Sequence, residues 1–214
     1  MRIATCLTLC LATPLLPLGA QGTDTAAPGA APAGWTVRAD GKGAAGAGGA
    51  KVDAMGQGIH VTTGPAVIVY KADTRGSGPF HTLATFTQTK PSAHPEGYGL
   101  LFGGQGLEGA GQKYFYFLVR QDGSFLIKRR DGEKTSDISK GWVPHEAVKR
   151  ADGKGSVTNR LEVDNKVDPA KLAFQVNGQT VHSMEAAGLD LDGIVGLRVN
   201  HNLDVHVEGF DVHR

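Results

Sequence analysis

The chain has 214 residues, 40% of them hydrophobic, and its net charge is +1 at neutral pH. A chain of this size can bury one extensive core, and sandwiches of this length commonly form a single domain. The near-neutral charge lacks the basic field that attracts nucleic acids and anionic membrane surfaces, so neither is an expected partner.

The N-terminal segment has the pattern of a secretory signal peptide. Arg2 gives it a positive start, residues 3–18 are mostly apolar, and small residues lead to a cleavage point after Ala20. The apolar run is shorter than the roughly 20 residues that span a bilayer. Both cysteines of the chain lie inside this segment, so the mature chain is expected to fold without disulfides. We therefore expect residues 1–20 to be a signal peptide and the mature chain to be secreted or periplasmic. A retained anchor is the alternative.

Two low-complexity stretches follow the signal peptide. Residues 21–34 are rich in Ala, Pro, Gly and Thr, and we interpret them as a disordered linker. Residues 41–50 consist almost entirely of Gly and Ala and are expected to form a loop after a first strand. The folded domain is therefore expected to occupy residues 35–214.

Within this domain, apolar and polar residues alternate with the period of two that is typical of β-strands. Strands are predicted at residues 35–38, 59–61, 66–70, 80–88, 98–102, 113–120, 124–130, 159–164, 171–176, 180–184, 193–199 and 203–212. Helix is confined to single turns near residues 145–149 and 185–188. Many short strands joined by Gly-rich turns predict an all-β, antiparallel, two-sheet jelly-roll sandwich.

Two dipeptides are strong local signals for hairpins. Asp122-Gly123 and Asn177-Gly178 each separate two predicted strands. Such pairs accept the positive φ angles of tight turns whose twist matches the flanking strands. Each of them therefore predicts a two-residue turn.

Five segments resemble, in sequence order, those of a known superfamily: YGLLFGGQ (98–105), KYFYFLVRQDGSFLIKRRDG (113–132), TNRLEVD (158–164), LAFQVNGQTV (172–181) and DGIVGLRVNHNLDVHVEGFDV (192–212). Together they resemble the concanavalin A-like lectin/glucanase superfamily, in its laminin-G-like jelly-roll branch. They look especially like bacterial exported domains grouped with 3-keto-disaccharide hydrolases. The resemblance covers roughly residues 35–213. It implies two antiparallel sheets, one of them curved, with a concave face that often binds sugars.

The chain departs from the catalytic patterns of that superfamily. Laminarinase-type enzymes carry Glu-x-Asp-x-Glu or Glu-x-Asp-x-x-Glu, whereas Glu162 and Asp164 have no third carboxylate after them. Retaining hydrolysis needs two carboxyl groups about 5 Å apart across the scissile bond. We interpret Glu162 and Asp164 as a solvated strand face. The hydrolase group usually has Asn-Ser-Gly where this chain has Gly97-Tyr98-Gly99. A non-catalytic domain is favoured, and catalytic residues are not assigned.

The segment 113–130 contains three candidate ligand contacts. With a two-residue turn, Tyr114, Tyr116 and Arg129 share one face of the hairpin. Aromatic rings stack on the apolar face of a sugar, and Arg donates paired hydrogen bonds to hydroxyls or carboxylates. We favour this tyrosine face as the ligand side. The alternative is that protein covers both faces of a central strand.

Trp142 is the fourth candidate ligand contact. It lies in a long connection between strands, where an exposed Trp can stack on a sugar. Alternatively it seals one end of the sandwich. Asn159, near the start of a predicted strand, is interpreted as a structural turn cap.

No metal site is assigned from the sequence. His206 and Glu208 are two residues apart on the last strand, with His201 before and His213 after them, and such side chains can bind zinc. However, no close His pair is visible, and Gly209 is expected to introduce a bulge. A polar outer face on an edge strand is favoured. Calcium is left open for the loop residues Asp122, Asp131, Asp137 and the pair Asp190 and Asp192.

Three functional hypotheses follow from the sequence. The leading one is a monomeric, exported, non-catalytic module that binds a glycan or oligosaccharide. The second is a glycoside hydrolase of the 3-keto-disaccharide hydrolase type, and the third is a cell-surface module that binds another protein.

Overall fold

A computed structural model describes residues 1, 31–40, 49–151, 153 and 155–214. The predicted signal peptide after Met1, residues 21–30 of the predicted linker and residues 41–48 lie outside the described residues. In the described part of the chain, no helix is long and apolar enough to cross a membrane.

The described residues form fifteen β-strands. Their bounds are β1 Thr36–Ala39, β2 Lys51–Met55, β3 Gly58–Thr62, β4 Val67–Gly76, β5 His81–Gln88, β6 Gly97–Gln105, β7 Lys113–Arg120, β8 Ser124–Asp131, β9 Lys134–Asp137, β10 Val143–Pro144, β11 Val157–Asp164, β12 Lys171–Val176, β13 Gln179–Glu185, β14 Gly193–Val199 and β15 Asp204–His213. Each predicted strand has a counterpart here. The sequence did not reveal β2, β9 and β10, because these are short and only Val52 and Val143 among their residues are large and buried or partly buried. The two predicted helical turns are non-helical turns.

The strands form two antiparallel sheets. The front sheet has the order β1-β4-β14-β6-β7-β8-β10, with β9 paired to β8 beside that path. The back sheet has the order β13-β12-β11-β5-β15-β3-β2. The predicted all-β, two-sheet sandwich is therefore confirmed.

The main core lies between the two sheets. Alternation along β12 places Leu172, Phe174 and Val176 inward, each fully buried. The Phe174 ring of the back sheet lies 5.3 Å from that of Phe117 and 6.1 Å from that of Phe102, both in the front sheet, measured between centroids. These aromatic contacts join the two sheets.

Local turn signals explain part of the topology. Asn177 and Gly178 have φ angles of 52° and 81°, and Val176 pairs with Gln179, so the predicted two-residue turn is confirmed. The bulge expected at Gly209 is also confirmed, since the pairing of β15 with β5 shifts between Glu208 and Asp211. The prediction of an edge strand here is wrong, because β15 lies between β5 and β3.

Candidate functional site

The hairpin of β7 and β8 has a three-residue turn, not the predicted two-residue one. Arg120 pairs with Ser124, which leaves residues 121–123 in the turn, and the last of these, Gly123, has a φ of 84°. The extra residue shifts the pairing by one position and moves the β8 side chains to the opposite face relative to β7. The prediction that Arg129 shares the tyrosine face is therefore wrong.

Arg129 is on the same face of β8 as the core residues, but it lies past the buried part of that strand. It pairs directly with Phe115, and its guanidinium carbon lies 5.7 Å from the centroid of that ring. The side chain is 48% exposed. Arg129 is thus accessible to a ligand, but on a different side of the front sheet from the tyrosines.

Tyr114 and Tyr116 do share the outer face of the front sheet. They are only 1% and 3% exposed, respectively, so neither ring offers an open stacking surface. Protein covers both faces of β7, as the alternative interpretation expected. Leu107, in the connection between β6 and β7, belongs to the outer cluster that contains both rings and is itself 2% exposed.

A buried ion cluster occupies the same outer face. The fully buried Asp40 carboxylate accepts a hydrogen bond of 2.8 Å from Arg198 Nε and one of 2.7 Å from the Tyr114 hydroxyl. Arg130 Nε lies 3.5 Å from the same carboxylate. The Arg198 guanidinium also covers the Tyr116 ring at 4.5 Å. One acid therefore balances two buried guanidinium groups.

The Asp40 contacts require the front sheet to curl. Asp40 directly follows β1, and its amide still bonds the carbonyl of Ala66 beside β4. Tyr114 is on β7, four strand spacings away. In a flat sheet that separation would be about 19 Å, which is more than the two side chains together span. The outer face of the front sheet is therefore concave.

The electrostatics of this cluster favour the ionised carboxylate. Burial alone would raise the pKa of Asp40, but the charges of Arg198 and Arg130 and the Tyr114 hydrogen bond outweigh it and hold that pKa below its ordinary value. Burial raises the pKa of the Tyr114 hydroxyl, which stays a donor. Arg130 Nε is buried without a hydrogen-bond partner, so Arg130 acts on Asp40 through its charge.

Trp142 packs against one end of the outer face. The Arg120 guanidinium lies 4.4 Å from its ring centroid, and a Cβ placed on Gly97 would come within 2.7 Å of the ring edge. Only a glycine fits beneath the ring at that point. Trp142 therefore covers part of the outer cluster of the front sheet and does not close an end of the sandwich, and part of its ring remains exposed.

A groove between the edges of the two sheets contains the aromatic surface that sequence reasoning missed. We call it the Trp35 groove; it is lined by Trp35, Phe210, Gln57, Lys71, Thr74 and Asp211, with β3 beneath, and encloses about 330 Å³. Trp35 and Phe210 lie 5.7 Å apart between centroids and are partly exposed. Lys71 Nζ lies 5.1 Å from the centre of the Trp35 ring.

Two local features create the Trp35 groove. The bulge at Gly209, with a φ of 60°, bends β15 and redirects Phe210 toward Trp35. Trp35 stands immediately before β1, at the edge of the front sheet. The sequence showed each aromatic residue but did not show that they would meet.

The remaining predicted residues have structural partners. Asn159 is fully buried and accepts hydrogen bonds from the Lys149 amide and from Asn177, in keeping with a structural role. Glu162 lies on the outer face of the back sheet, as expected, but it is buried and not solvated, because His81 and Arg160 contact it.

The aspartates left open for calcium each have a protein partner. Asp122, Asp131 and Asp137 pair with Arg120, Lys113 and Lys128, respectively. Asp190 accepts from Gln105, and Asp192 from the amide of Gly78. Across the described residues, no group of three or more His, Cys, Asp or Glu side chains is arranged to hold a metal ion.

Solved structures with a similar architecture include carbohydrate-binding domains. The carbohydrate-binding module CBM66 from Bacillus subtilis superposes with a TM-score of 0.62 at 11% identity, covering 85% of this chain and 96% of that chain. The carbohydrate recognition domain of Emp46p in its metal-free form superposes with a TM-score of 0.57 at 14% identity, covering 84% of this chain and 88% of that chain. The carbohydrate recognition domain of Emp47p superposes with a TM-score of 0.55 at 11% identity, covering 86% of this chain and 89% of that chain. These values show a shared jelly-roll fold.

No protein-family model and no curated protein sequence matches the chain. The shared two-sheet jelly-roll fold is thus supported by structure alone, and the resemblance to the concanavalin A-like superfamily stays a prediction. The closer resemblance to 3-keto-disaccharide hydrolases stays a prediction.

Proposed function

We propose that this chain is an exported, non-catalytic carbohydrate-binding module whose glycan lies in the Trp35 groove. The observation that supports the site most directly is the pair of partly exposed rings, Trp35 and Phe210, inside a rimmed groove. The names of the similar structures, a carbohydrate-binding module and carbohydrate recognition domains, favour the same ligand class. Fold similarity by itself does not assign function.

The chemistry of the Trp35 groove suits a sugar. Aromatic rings stack on the apolar C–H face of a pyranose, while hydroxyl groups need directional partners. The Lys71 ammonium, the Gln57 amide and the Asp211 carboxylate line the groove and supply donors and acceptors. Its volume of about 330 Å³ falls at the lower end of the range for small-molecule sites, which suits one sugar unit.

One further observation supports binding without catalysis, and another supports export. Glycoside hydrolysis usually requires a pair of carboxyl groups. Asp211 is the single carboxylate among the described residues that line the groove, and its Oδ2 lies 3.1 Å from His213 Nε2. The apolar N-terminal pattern after Arg2 supports export.

Trp35→Ala is expected to weaken glycan binding about tenfold or more, because buried Trp contacts commonly dominate such interfaces. The measurement is a glycan-array screen of residues 21–214, followed by calorimetric titration of the best glycan. Trp142→Ala serves as the matched control, since Trp142 is also partly exposed but lies outside the groove. Lys71→Gln tests the polar rim without removing an aromatic ring.

Each outcome of this screen is decisive. If only Trp35→Ala weakens glycan binding, the result supports the Trp35 groove as the binding site. If only Trp142→Ala weakens glycan binding, the binding site would instead lie on the outer face of the front sheet. If a folded parent protein bound no glycan, the proposal would be wrong and a protein partner would become the leading hypothesis. Cleavage of a bound glycan would instead favour the hydrolase.

A further inference from the structure

Two histidines far apart in sequence meet on the outer face of the back sheet. His81 begins β5 and His213 ends β15, and the two residues pair directly across these neighbouring strands. Their ring centroids are 5.5 Å apart, and Nδ1 of one lies 3.4 Å from Nδ1 of the other. Side chains that face each other across neighbouring strands are well placed to bind one common ion.

Carboxylates determine which nitrogen of each ring carries the hydrogen. His81 Nε2 lies 2.9 Å from Glu162 Oε2, and His213 Nε2 lies 3.1 Å from Asp211 Oδ2. An ionised carboxylate only accepts hydrogen bonds, so each Nε2 must be the donor. In a neutral imidazole the other nitrogen, Nδ1, then has a free lone pair. In that tautomer the two Nδ1 atoms, 3.4 Å apart, can both donate a lone pair to one common cation.

That arrangement matches two ligands on one tetrahedral metal ion. Zinc–nitrogen bonds of 2.0–2.1 Å at a tetrahedral angle place the two nitrogens about 3.3 Å apart. A carboxylate on the opposite ring nitrogen is the usual outer partner of a metal-bound histidine, because it sets the tautomer and makes the ligand more basic. Glu162 and Asp211 occupy that position here.

We propose that His81 and His213 form a surface binding site for a borderline divalent transition-metal ion, with Zn²⁺ as its representative. Both ligands use Nδ1, and Glu162 and Asp211 hold the rings in place. The absence of a third ligating side chain in the described residues leaves the remaining coordination positions to water. The site is accessible, since the side chains of His81 and His213 are 19% and 48% exposed.

The sequence assigned no metal site because no two histidines lie close together on one predicted strand. His81 and His213 are 132 residues apart, so only the pairing of β5 with β15 reveals them. The pair that the sequence suggested, His206 and Glu208, precedes the Gly209 bulge, whereas His213 follows it.

A second cross-strand pair provides a matched control. His60 and His206 are also direct partners, and their Nε2 atoms contact Asp204 at 2.8 Å and Glu208 at 3.2 Å. Their rings stack 6.2 Å apart, however, and both Nδ1 atoms are buried. A hydrated ion cannot reach those atoms, so this pair should not bind the metal.

The test is a calorimetric titration of Zn²⁺ into the protein near neutral pH, with no glycan present and with any polyhistidine tag removed. One zinc ion per chain is expected. His81→Ala and His213→Ala should each weaken binding at least about tenfold, the lower bound seen even when only an outer partner of a metal ligand is lost. His60→Ala and His206→Ala should leave the affinity unchanged.

A spectroscopic measurement separates coordination from nonspecific attraction. In ¹⁵N-detected NMR of the imidazoles, zinc should shift the Nδ1 resonances of His81 and His213 and leave their Nε2 resonances protonated. A parent protein that binds no zinc, or His81 and His213 variants that bind as tightly as the parent, would overturn the proposal. Because glycan is absent from this titration, its result is independent of the Trp35 groove, although Asp211 borders both sites.

Discussion

Asp40→Asn is expected to lower the free energy of unfolding by about 3–5 kcal/mol, because it removes one partner of a buried ion cluster. The change keeps the size of the side chain, and the amide oxygen can still accept from Tyr114. It leaves Arg198 and Arg130, whose side chains are only 10% and 13% exposed, without a balancing negative charge. Urea denaturation of both proteins at neutral pH measures the difference.

An exposed ion pair of the same kind provides the control. Asp131 lies 3.5 Å from Lys113, and both side chains are about half exposed. Solvent-exposed pairs contribute about 0–1 kcal/mol, so Asp131→Asn should change stability little. Equal effects of the two substitutions would contradict the assignment of Asp40 as the centre of a buried cluster.

The effect of Asp40→Asn should also depend on pH. The folded state holds the pKa of Asp40 below the ordinary value of 3.8. A depressed acid stabilises the fold fully above its unfolded pKa, and this contribution is lost as the pH falls through the folded pKa. The stability difference between parent and variant should therefore be constant near neutrality and shrink below about pH 4. A difference that stayed constant into strong acid would argue against this origin.

Phe174→Ala is expected to lower the free energy of unfolding by about 3–5 kcal/mol, the range for truncation of a fully buried Phe. The ring is 0% exposed and contacts Phe102 and Phe117 of the opposite sheet. Its removal leaves a cavity between the sheets that neither can close without moving as a unit. Denaturation in urea provides the measurement.

Phe174→Leu is the matched variant for that experiment. It keeps an apolar side chain at the same point of β12 and should lose clearly less stability than the alanine variant. Both variants should keep the overall strand content of the parent, which circular dichroism in the far ultraviolet reports. A loss below about 1 kcal/mol for Phe174→Ala would mean that the two sheets do not depend on this contact.

Local sequence patterns were sufficient for twelve of the fifteen strands and for one hairpin. The alternation along β12 predicted its inward side chains, and Asn177-Gly178 predicted a two-residue turn, because both depend on residues adjacent in the chain. The all-β sandwich followed from many such segments. The positions of Tyr114 and Tyr116 on one strand face were also predicted, since alternation along a strand is local.

Cross-strand register was only partly accessible from the sequence. The turn between β7 and β8 contains three residues, and the additional one placed Arg129 on the opposite face from Tyr116. An Asp-Gly pair is compatible with either turn length. The flanking strands decide between them through their packing, and here Phe117 and Ile127 pair inside the core.

The sequence by itself determined the longer strands, the class of fold and the expectation of export. Only the tertiary structure decided that Tyr114 is buried on Asp40, that Trp35 meets Phe210 across the two sheets, and that His81 faces His213. The physical reason is the distance along the chain over which each effect acts. Backbone propensity and alternation act over a few residues, whereas the curl of the front sheet, the order of the strands and the bulge at Gly209 bring together side chains that no local pattern connects.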